Sequence, residues 1–140
     1  MTTKEETGFL LHKIDKKIKC TMDNEMSKHD MTLSQSMVLS YLHKNDGQLS
    51  QKKLQDLLKV SHPTMVGLVK RLEAKGYVEC MADNKDKRNK IVKATELARE
   101  YKKDMQDTRR SFNNKMYKGI SNEEIDLLHS LLSKMYENIV

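Results

Sequence analysis

The segment from Val60 to Thr95 constrains the fold of this chain more than any other part of the sequence. Ser61 is a good helix N-cap, because its hydroxyl can accept a hydrogen bond from a backbone N–H that has no partner inside the helix. Pro63 then falls in the first turn, where a missing N–H costs little. Gly76 can adopt the positive φ that ends many helices. The pattern therefore predicts a short helix between Ser61 and Gly76.

One side of this predicted helix is apolar. Val66, Val69 and Leu72 recur at intervals of three residues, which indicates a face turned towards the core. The opposite face is expected to carry His62, Thr64, Met65, Gly67, Lys70 and Arg71. Because the first helical turn has free N–H groups and the positive end of the helix dipole, this face suits a surface lined with phosphates.

A hairpin is predicted after the helix. Residues 77–81 alternate along a strand, with Val78 and Cys80 on one side, and residues 90–94 are also extended in character. Residues 83–89 between them contain no apolar side chain and must be solvated. This tip is either a polar surface turn or a basic tip that contacts a nucleic acid.

Arg88 is the best candidate in the tip for entering the minor groove of DNA, where a fixed cationic fork meets a negative potential. Asp86 is placed to pair with Arg88 or to orient it. A helix for the major groove would then lie beside a basic hairpin tip.

Composition permits this interpretation. A chain of 140 residues normally forms one domain. Its formal charge of +6 suits nucleic acids, but also membrane surfaces or acidic partners. With no Trp, 2 Phe and 5 Tyr, the chain offers little for stacking single-stranded bases. Because Cys20 and Cys80 lie far apart and neither a signal peptide nor a membrane-length apolar run is present, a cytoplasmic protein is expected.

Helical patterns fill the rest of the chain. Phe9 to His29 is predicted as a first helix, Thr32 and Gln35 as the capping box of a second, and Ser50 as the cap of a third. Leu49 is placed to add a short third strand to the hairpin. After the hairpin, Thr95 is expected to cap a long helix, and a capping box opens the last helix at residue 121.

The predicted fold is mainly α with a small antiparallel β wing. The helix-turn-helix and wing occupy residues 32–95, and the flanking segments 1–30 and 96–140 carry more apolar surface than such a module can bury. Pairing of these helices with a second copy into a symmetric dimer covers that surface. The alternative is that both segments fold back on their own module.

The order of the elements resembles the MarR (multiple antibiotic resistance regulator) family over nearly the whole chain. The most specific stretches are residues 60–66, residues 72–78, and Asp86-Lys87-Arg88 followed by Ala94-Thr95. The last of these is similar to the wing signature of the family, Asp-x-Arg, five variable residues and Leu-Thr. Here Ala94 replaces the leucine, and Gly67 stands where relatives often carry a polar residue.

The resemblance implies a dimeric transcription regulator, usually a repressor, that binds a pseudo-palindromic double-stranded operator. Its two recognition helices would enter successive major grooves about 34–36 Å apart. The DNA-binding residues expected on the recognition helix are Ser61, His62, Thr64, Met65 and Lys70. Met65 is expected to meet a thymine methyl group. Those expected on the wing are Lys85, Asp86, Lys87, Arg88 and Lys90.

The resemblance also implies a signal that loosens DNA binding. Family members often release DNA when a small phenolic or other lipophilic compound binds between the dimerisation helices and the DNA-binding lobe, and some sense oxidation through a cysteine. The residues considered for such an effector cleft are His12, Ile14, Cys20, Met37, Tyr41 and Tyr101. For each of them, an ordinary core or surface position is the preferred interpretation.

Other functions have less support. The spacing of His12, Cys20, His29 and His43 matches no zinc motif, so no metal or other cofactor is expected. The sequence has no phosphate-binding glycine loop and no nucleophile elbow, so no enzyme is expected. The remaining alternative is a winged-helix protein that has lost DNA binding and antagonises a related regulator.

Overall fold

The computed structural model describes residues 1–86 and 88–140, and Lys87 lies outside the described residues. The elements follow one another as α1 (Lys4–Lys28), α2 (Leu33–Lys44), β1 (Gln48–Ser50), α3 (Gln51–Leu58), α4 (His62–Ala74), β2 (Val78–Ala82), β3 (Lys90–Ala94), α5 (Glu96–Met116) and α6 (Asn122–Ile139). The predicted fold class, mainly helical with a small antiparallel sheet, is confirmed.

The chain divides into two compact units, Met1–Arg109 and Arg110–Val140. The first contains α1 to α4, the sheet and most of α5, and the second contains the end of α5 and all of α6. No helix in the described part of the chain is long and apolar enough to cross a membrane.

Side-chain caps set the starts of most helices. The predicted capping box of Thr32 and Gln35 is present at α2, and Ser50 and Ser61 cap α3 and α4. Helix α1 begins at Lys4 rather than at Phe9, because Thr3 and Glu6 form a further capping box that extends the helix by more than one turn.

The sheet has the order β1-β3-β2, and both pairs of strands are antiparallel. The predicted third strand at Leu49 is therefore confirmed, and Leu49 lies opposite Val92. On the other side of β3, Val92 lies opposite Cys80, and Val78 lies opposite Ala94. Val78, Val92 and Ala94 are buried, so one face of the sheet covers the core.

The core of the first unit joins α2, α3, α4 and the sheet. Its largest fully buried side chains are Leu39, Leu42, Leu54, Met65, Leu72, Val38, Val78 and Val92. Close packing of this kind fixes the rotation of each helix about its own axis, because a turned helix would leave a void or a clash.

The prediction for the apolar face of α4 is confirmed for Val69 and Leu72 and is wrong for Val66 and Met65. Met65 is fully buried, together with Leu68, Val69 and Leu72, whereas Val66 is half-buried. The observed spacing is i, i+3, i+4, i+7, which keeps side chains on one face of a helix with 3.6 residues per turn. An interval of three residues instead drifts around the helix. Met65 is thus a core residue and cannot contact a thymine methyl group.

The C-terminal end of α4 is tied to the turn between α1 and α2. The Nζ of Lys75, the C-cap residue, donates hydrogen bonds to Oε1 of buried Gln35 at 3.0 Å and to the backbone carbonyl of Asp30. Thr95 is predicted to cap α5. Its hydroxyl instead donates a hydrogen bond to the carbonyl of Gly76 at 2.6 Å and so joins the start of α5 to the end of α4.

Helix α6, in the second unit, has an apolar side but no buried residue. Leu127, Leu131, Met135 and Tyr136 are among its exposed apolar side chains. In the first unit, Phe9, Leu10 and Ile14 of α1 are exposed in the same way. Both helices therefore present apolar surface to solvent.

We expect Met65→Ala to lower the free energy of unfolding by about 2–5 kcal/mol, because it removes a fully buried side chain and leaves a cavity. Met65→Leu nearly conserves the volume and should cost less than about 1.5 kcal/mol. Urea unfolding followed by circular dichroism measures both changes. A Met65→Ala variant as stable as the parent would contradict the placement of Met65 in the core.

Candidate nucleic-acid interface

The first turn of α4 is exposed and polar. The hydroxyl of Ser61 accepts a hydrogen bond from the backbone N–H of Thr64 at 3.3 Å and donates one to the Thr64 hydroxyl at 2.9 Å. The Nδ1 of His62 lies 3.2 Å from Oε1 of Gln55 on α3. Three of the predicted recognition-helix residues are thus ordered by local hydrogen bonds while their side chains stay open to solvent.

The wing tip is organised by two aspartates. Asp83 accepts a hydrogen bond from the backbone N–H of Lys85 at 3.0 Å. Asp86 accepts from the backbone N–H of Arg88 at 3.1 Å and from the Arg88 Nε at 3.3 Å. The predicted pairing of Asp86 with Arg88 is therefore present. Because the Arg88 side chain is 93% exposed, this pair orients the guanidinium without removing it from solvent.

A groove of about 470 Å³ runs between α3, α4 and the wing. It brings His62 of α4 together with Arg88 and Lys90 of the wing, as the sequence predicted for one combined surface. The residues that line the groove are Gln51, Lys52, Gln55, His62, Val66, Arg88, Asn89 and Lys90.

Sequence reasoning missed the contribution of α3. Gln51, Lys52 and Gln55 line the groove although no motif in the sequence marks them. The available signal was the short connection between α3 and α4, which makes the two helices neighbours. Ser61, Thr64, Lys70 and Lys85 are exposed outside the groove lining, and the prediction for Lys87 falls outside the described residues.

A second pocket, of about 310 Å³, lies within the first unit between α1, α2 and α5. Its lining combines apolar side chains, hydroxyls and cations: Met22, Leu39, Met105, Ser36, Ser40, Tyr101, His43, Lys44, Lys102, Gln106 and Arg109. The Tyr101 hydroxyl lies 2.9 Å from that of Ser36. Burial raises the pKa of Tyr101 above its ordinary value, so this hydroxyl stays protonated at neutral pH.

Most of the residues predicted for an effector cleft do not line this second pocket. Tyr101 lines the second pocket, but His12, Cys20, Met37 and Tyr41 do not. His12 and Cys20 are exposed on α1. On α2, residues 36, 39, 40 and 43 share the side that faces the pocket. Met37 and Tyr41 belong to a neighbouring side, because each residue turns the helix by about 100°.

His43 is an unusual member of this pocket. Its Nε2 is buried and has no hydrogen-bond partner in the described part of the chain. Burial lowers the pKa of His43, the nearby charges of Lys102 and Arg99 lower it further, and a hydrogen bond to the backbone of Ala98 acts in the opposite direction. The imidazole is therefore neutral at neutral pH, with one nitrogen unsatisfied.

The cysteines give no support to an oxidation sensor in the wing. Burial, together with the neighbouring Glu73 carboxylate, raises the pKa of the Cys80 thiol to about 11. A thiol with such a pKa is protonated and unreactive at neutral pH. Cys20 is exposed on α1.

Among the described residues, no group of three His, Cys, Asp or Glu side chains is arranged to hold a metal ion.

These features define a class of protein. Helices α3 and α4 form a helix-turn-helix, and the hairpin beside α4, extended by β1, forms its wing. The chain is a winged helix-turn-helix protein. Residues 29–89 match the model of the MarR family, a segment that contains the helix-turn-helix and most of the wing.

Solved structures are similar over almost the full length. YusO from Bacillus subtilis is 20% identical, with a TM-score of 0.84 over 95% of this chain and 94% of that one. A MepR–DNA complex from S. aureus is 24% identical, with a TM-score of 0.82 over 95% of this chain and 99% of that one. S. aureus MepR bound to ethidium bromide is 24% identical, with a TM-score of 0.76 over 95% of this chain and 96% of that one. These likenesses show that the chain has the fold of these structures.

We expect the imidazole of His43 to titrate below the ordinary histidine value of about 6.5. Since the unfolded chain then binds the proton more readily than the folded chain, His43 contributes stability above the unfolded pKa. That contribution is lost as the pH falls through the lowered, folded pKa. NMR titration of the histidine ring protons checks the pKa, with His43→Gln to assign the signal. A midpoint at or above 6.5 would contradict the buried, cation-flanked environment.

Proposed function

We propose that this protein is a dimeric transcription regulator, acting as a repressor, that binds a pseudo-palindromic DNA operator. The observation that carries the proposal is the groove in which the first turn of α4 and the wing meet. The match of residues 29–89 to the model of the MarR family, whose members are DNA-binding regulators, supports it, as does the likeness to MepR in a structure with DNA.

The recognition helix would enter the major groove by its first turn. Ser61, His62 and Thr64 are exposed there, and Lys70 follows two turns later on the same helix. Hydroxyls and imidazole nitrogens can hydrogen-bond to phosphates or base edges, and the helix N-terminus favours negative charge. Gly67 leaves open space on this helix, since an added Cβ would have as its neighbour only the flexible end of Arg71 at 3.6 Å.

The wing and α3 would bind the DNA backbone on either side of the recognition helix. Arg88 is oriented by Asp86 and suits a narrow minor groove, while Lys85 and Lys90 would contact phosphates. Lys52 lies on the same groove and adds a further cation from α3. Such contacts place the protein on the duplex and make its affinity depend on salt.

Dimerisation would cover the apolar surfaces that each unit exposes. Phe9, Leu10 and Ile14 of α1 are 61%, 56% and 39% exposed, and Leu131 and Leu127 of α6 are 49% and 60% exposed. Contiguous exposed apolar side chains mark interaction sites in stable proteins. Two copies related by a two-fold axis would bury these helices and hold two recognition helices one helical turn of DNA apart.

Release by a small molecule would act through the second pocket. MepR, whose fold this chain shares, has been solved with ethidium bromide bound. The pocket lies between α1 and α5, which belong to the proposed dimer helices, and α2 of the DNA-binding lobe. An effector bound there would favour one position of the DNA-binding lobe relative to helices α1 and α5.

The alternative is a winged-helix protein that has lost DNA binding and antagonises a related regulator. The oriented Arg88 and the four cationic or imidazole side chains in one groove favour the DNA-binding function. The two functions differ in salt dependence: an antagonist should show almost no salt-sensitive binding to duplex DNA, whereas the regulator should show a log–log slope on the order of −5 or steeper.

We expect Arg88→Ala to weaken binding to an operator selected from random duplexes by about 1–3 kcal/mol per protomer. The slope of log affinity against log salt should become less negative by about 2 for a dimer, since each protomer loses one cationic contact. Fluorescence anisotropy over a salt series measures both.

The matched control is Arg99→Ala. Arg99 also pairs with a nearby carboxylate, Glu96 at 2.9 Å, but lies on α5 outside the groove. Its loss should leave operator affinity nearly unchanged. Equal affinities for the parent and Arg88→Ala would remove the wing from the mechanism, and the absence of any duplex binding by the parent would favour the antagonist.

We expect Leu131→Glu to shift the protein from dimer to monomer, because it places a charge on the exposed apolar side of α6. Sedimentation velocity at micromolar concentration measures the change. Leu33→Glu is the control, since Leu33 is 64% exposed on α2, outside the proposed dimer helices. A Leu131→Glu variant that sediments like the parent dimer would exclude α6 from the interface.

A further inference from the structure

One side-chain contact joins the two helices of the helix-turn-helix at the groove beside the wing. The Nδ1 of His62, in the first turn of α4, lies 3.2 Å from Oε1 of Gln55 on α3. Both residues line the groove between α3, α4 and the wing. The contact therefore belongs to the surface that the proposed function turns towards DNA.

The turn between α3 and α4 holds Gln55 in place. Its backbone carbonyl accepts hydrogen bonds from the N–H groups of Lys59 and Val60, the latter at 3.3 Å. The side chain of Gln55 is half-buried, whereas that of His62 is exposed. A half-buried side chain on an anchored backbone has less conformational freedom to lose than an exposed one. Gln55 therefore orients the imidazole, and not the reverse.

The neighbouring polar groups do not compete with Gln55 for Nδ1 of His62. The hydroxyls of Ser61 and Thr64 lie 2.9 Å apart and bond to each other. The charged groups that share the groove with His62 in the described part of the chain are Lys52, Arg88 and Lys90. These side chains carry hydrogen-bond donors and no acceptor. The amide oxygen of Gln55 is thus the acceptor that faces Nδ1.

The contact decides which nitrogen of His62 carries the proton. An amide oxygen can only accept a hydrogen bond, so Nδ1 must donate. In a neutral imidazole the other nitrogen, Nε2, then has no proton and can only accept. Because His62 is exposed, this acceptor is open to a ligand in the groove. If the imidazole takes up a second proton, Nε2 becomes a donor instead.

An acceptor in the major groove selects particular bases. Cytosine and adenine present an exocyclic amino group there, whereas guanine and thymine present only acceptors and a methyl group. We propose that Gln55 is a positioning residue that keeps the proton on Nδ1 of His62, so that Nε2 reads the amino group of cytosine or adenine and rejects guanine and thymine. The inference rests on the proposed function, in which the first turn of α4 enters the major groove.

Nitrogen-15 NMR of the full-length protein without DNA measures the tautomer directly. At about pH 8, above most of the range in which histidine changes its charge, the spectrum should show the proton of His62 on Nδ1. Gln55→Met keeps the length of the side chain but offers no amide oxygen, so it should give a mixture of the two tautomers. His62→Asn assigns the signal. A proton on Nε2 in the parent, or an unchanged tautomer in Gln55→Met, would overturn the proposal.

Selection of bound sequences from random duplexes tests the consequence for DNA. At one position of each half-site, the parent should favour cytosine or adenine over guanine by at least about 5-fold, and His62→Ala should identify that position by losing the preference. Gln55→Met should weaken the preference there and leave the other positions unchanged. Gln55→Glu should change it towards guanine, because a carboxylate beside Nδ1 stabilises the doubly protonated ring, in which Nε2 donates.

Lys52→Met is the matched control. Lys52 lies on the same helix and lines the same groove, but its ammonium group offers no acceptor to Nδ1 of His62. Its loss should weaken binding to all sequences to a similar extent and leave the base preference unchanged, as expected for a phosphate contact. If Lys52→Met alters the preference as Gln55→Met does, the effect is a general disturbance of α3 and the positioning role is wrong.

The positioning role and the proposed function fail in different ways. If the parent selects an operator but both Gln55 variants keep its base preference at every position, the positioning role of Gln55 is wrong and the proposed function stands. If the parent binds no duplex in a salt-sensitive manner, the proposed function is wrong, and the reading of a base by His62 is wrong with it.

Discussion

The burial of one face of α4 is the interaction on which the rest of the structure depends. Met65, Leu68, Val69 and Leu72 pack against α2, α3 and the sheet and fix the rotation of this helix about its axis. Burying such side chains is worth roughly 1.5–3 kcal/mol each, so no other rotation competes. That rotation decides which polar residues face outwards, and it leaves His62 and Thr64 exposed at the first turn while it removes Met65 from the surface.

Both ends of α4 make hydrogen bonds to neighbouring elements. At its start, His62 contacts Gln55 of α3, and at its end Lys75 bonds to Gln35 and to the Asp30 carbonyl at the α1–α2 turn. Next in the chain, Tyr77 packs edge-to-face against Tyr101, whose ring also meets His29. Tyr101 lines the second pocket. The recognition helix and the proposed effector pocket thus share a continuous set of packed contacts within the first unit, which is the physical requirement for one to influence the other.

Electrostatics divides the first unit into two cationic regions with different surroundings. In the groove at the wing, Arg88 is solvated and oriented by Asp86, which suits a large, charged and flexible ligand such as a DNA backbone. In the pocket at α5, Lys102 and Arg109 lie beside methionines, a leucine and the half-buried imidazole of His43, which suits a small ligand with an apolar body. The same charge would therefore favour a different ligand in each region, because the neighbouring apolar side chains set the size and shape of what can bind.

Local signals in the sequence determined the elements: the caps at Thr32, Ser50 and Ser61, the stop at Gly76 and the solvated loop between two strands each depend on residues close in the chain. The wing pair of Asp86 and Arg88 was predictable for the same reason. Tertiary structure alone decided that α3 lines the groove and that the pocket uses residues 36 and 43 of α2 rather than Met37 and Tyr41. On α4, it placed Met65 in the core beside the predicted Val69 and Leu72. These outcomes depend on how distant helices pack, because each residue turns a helix by about 100° and a shift of one position exchanges a buried side chain for an exposed one.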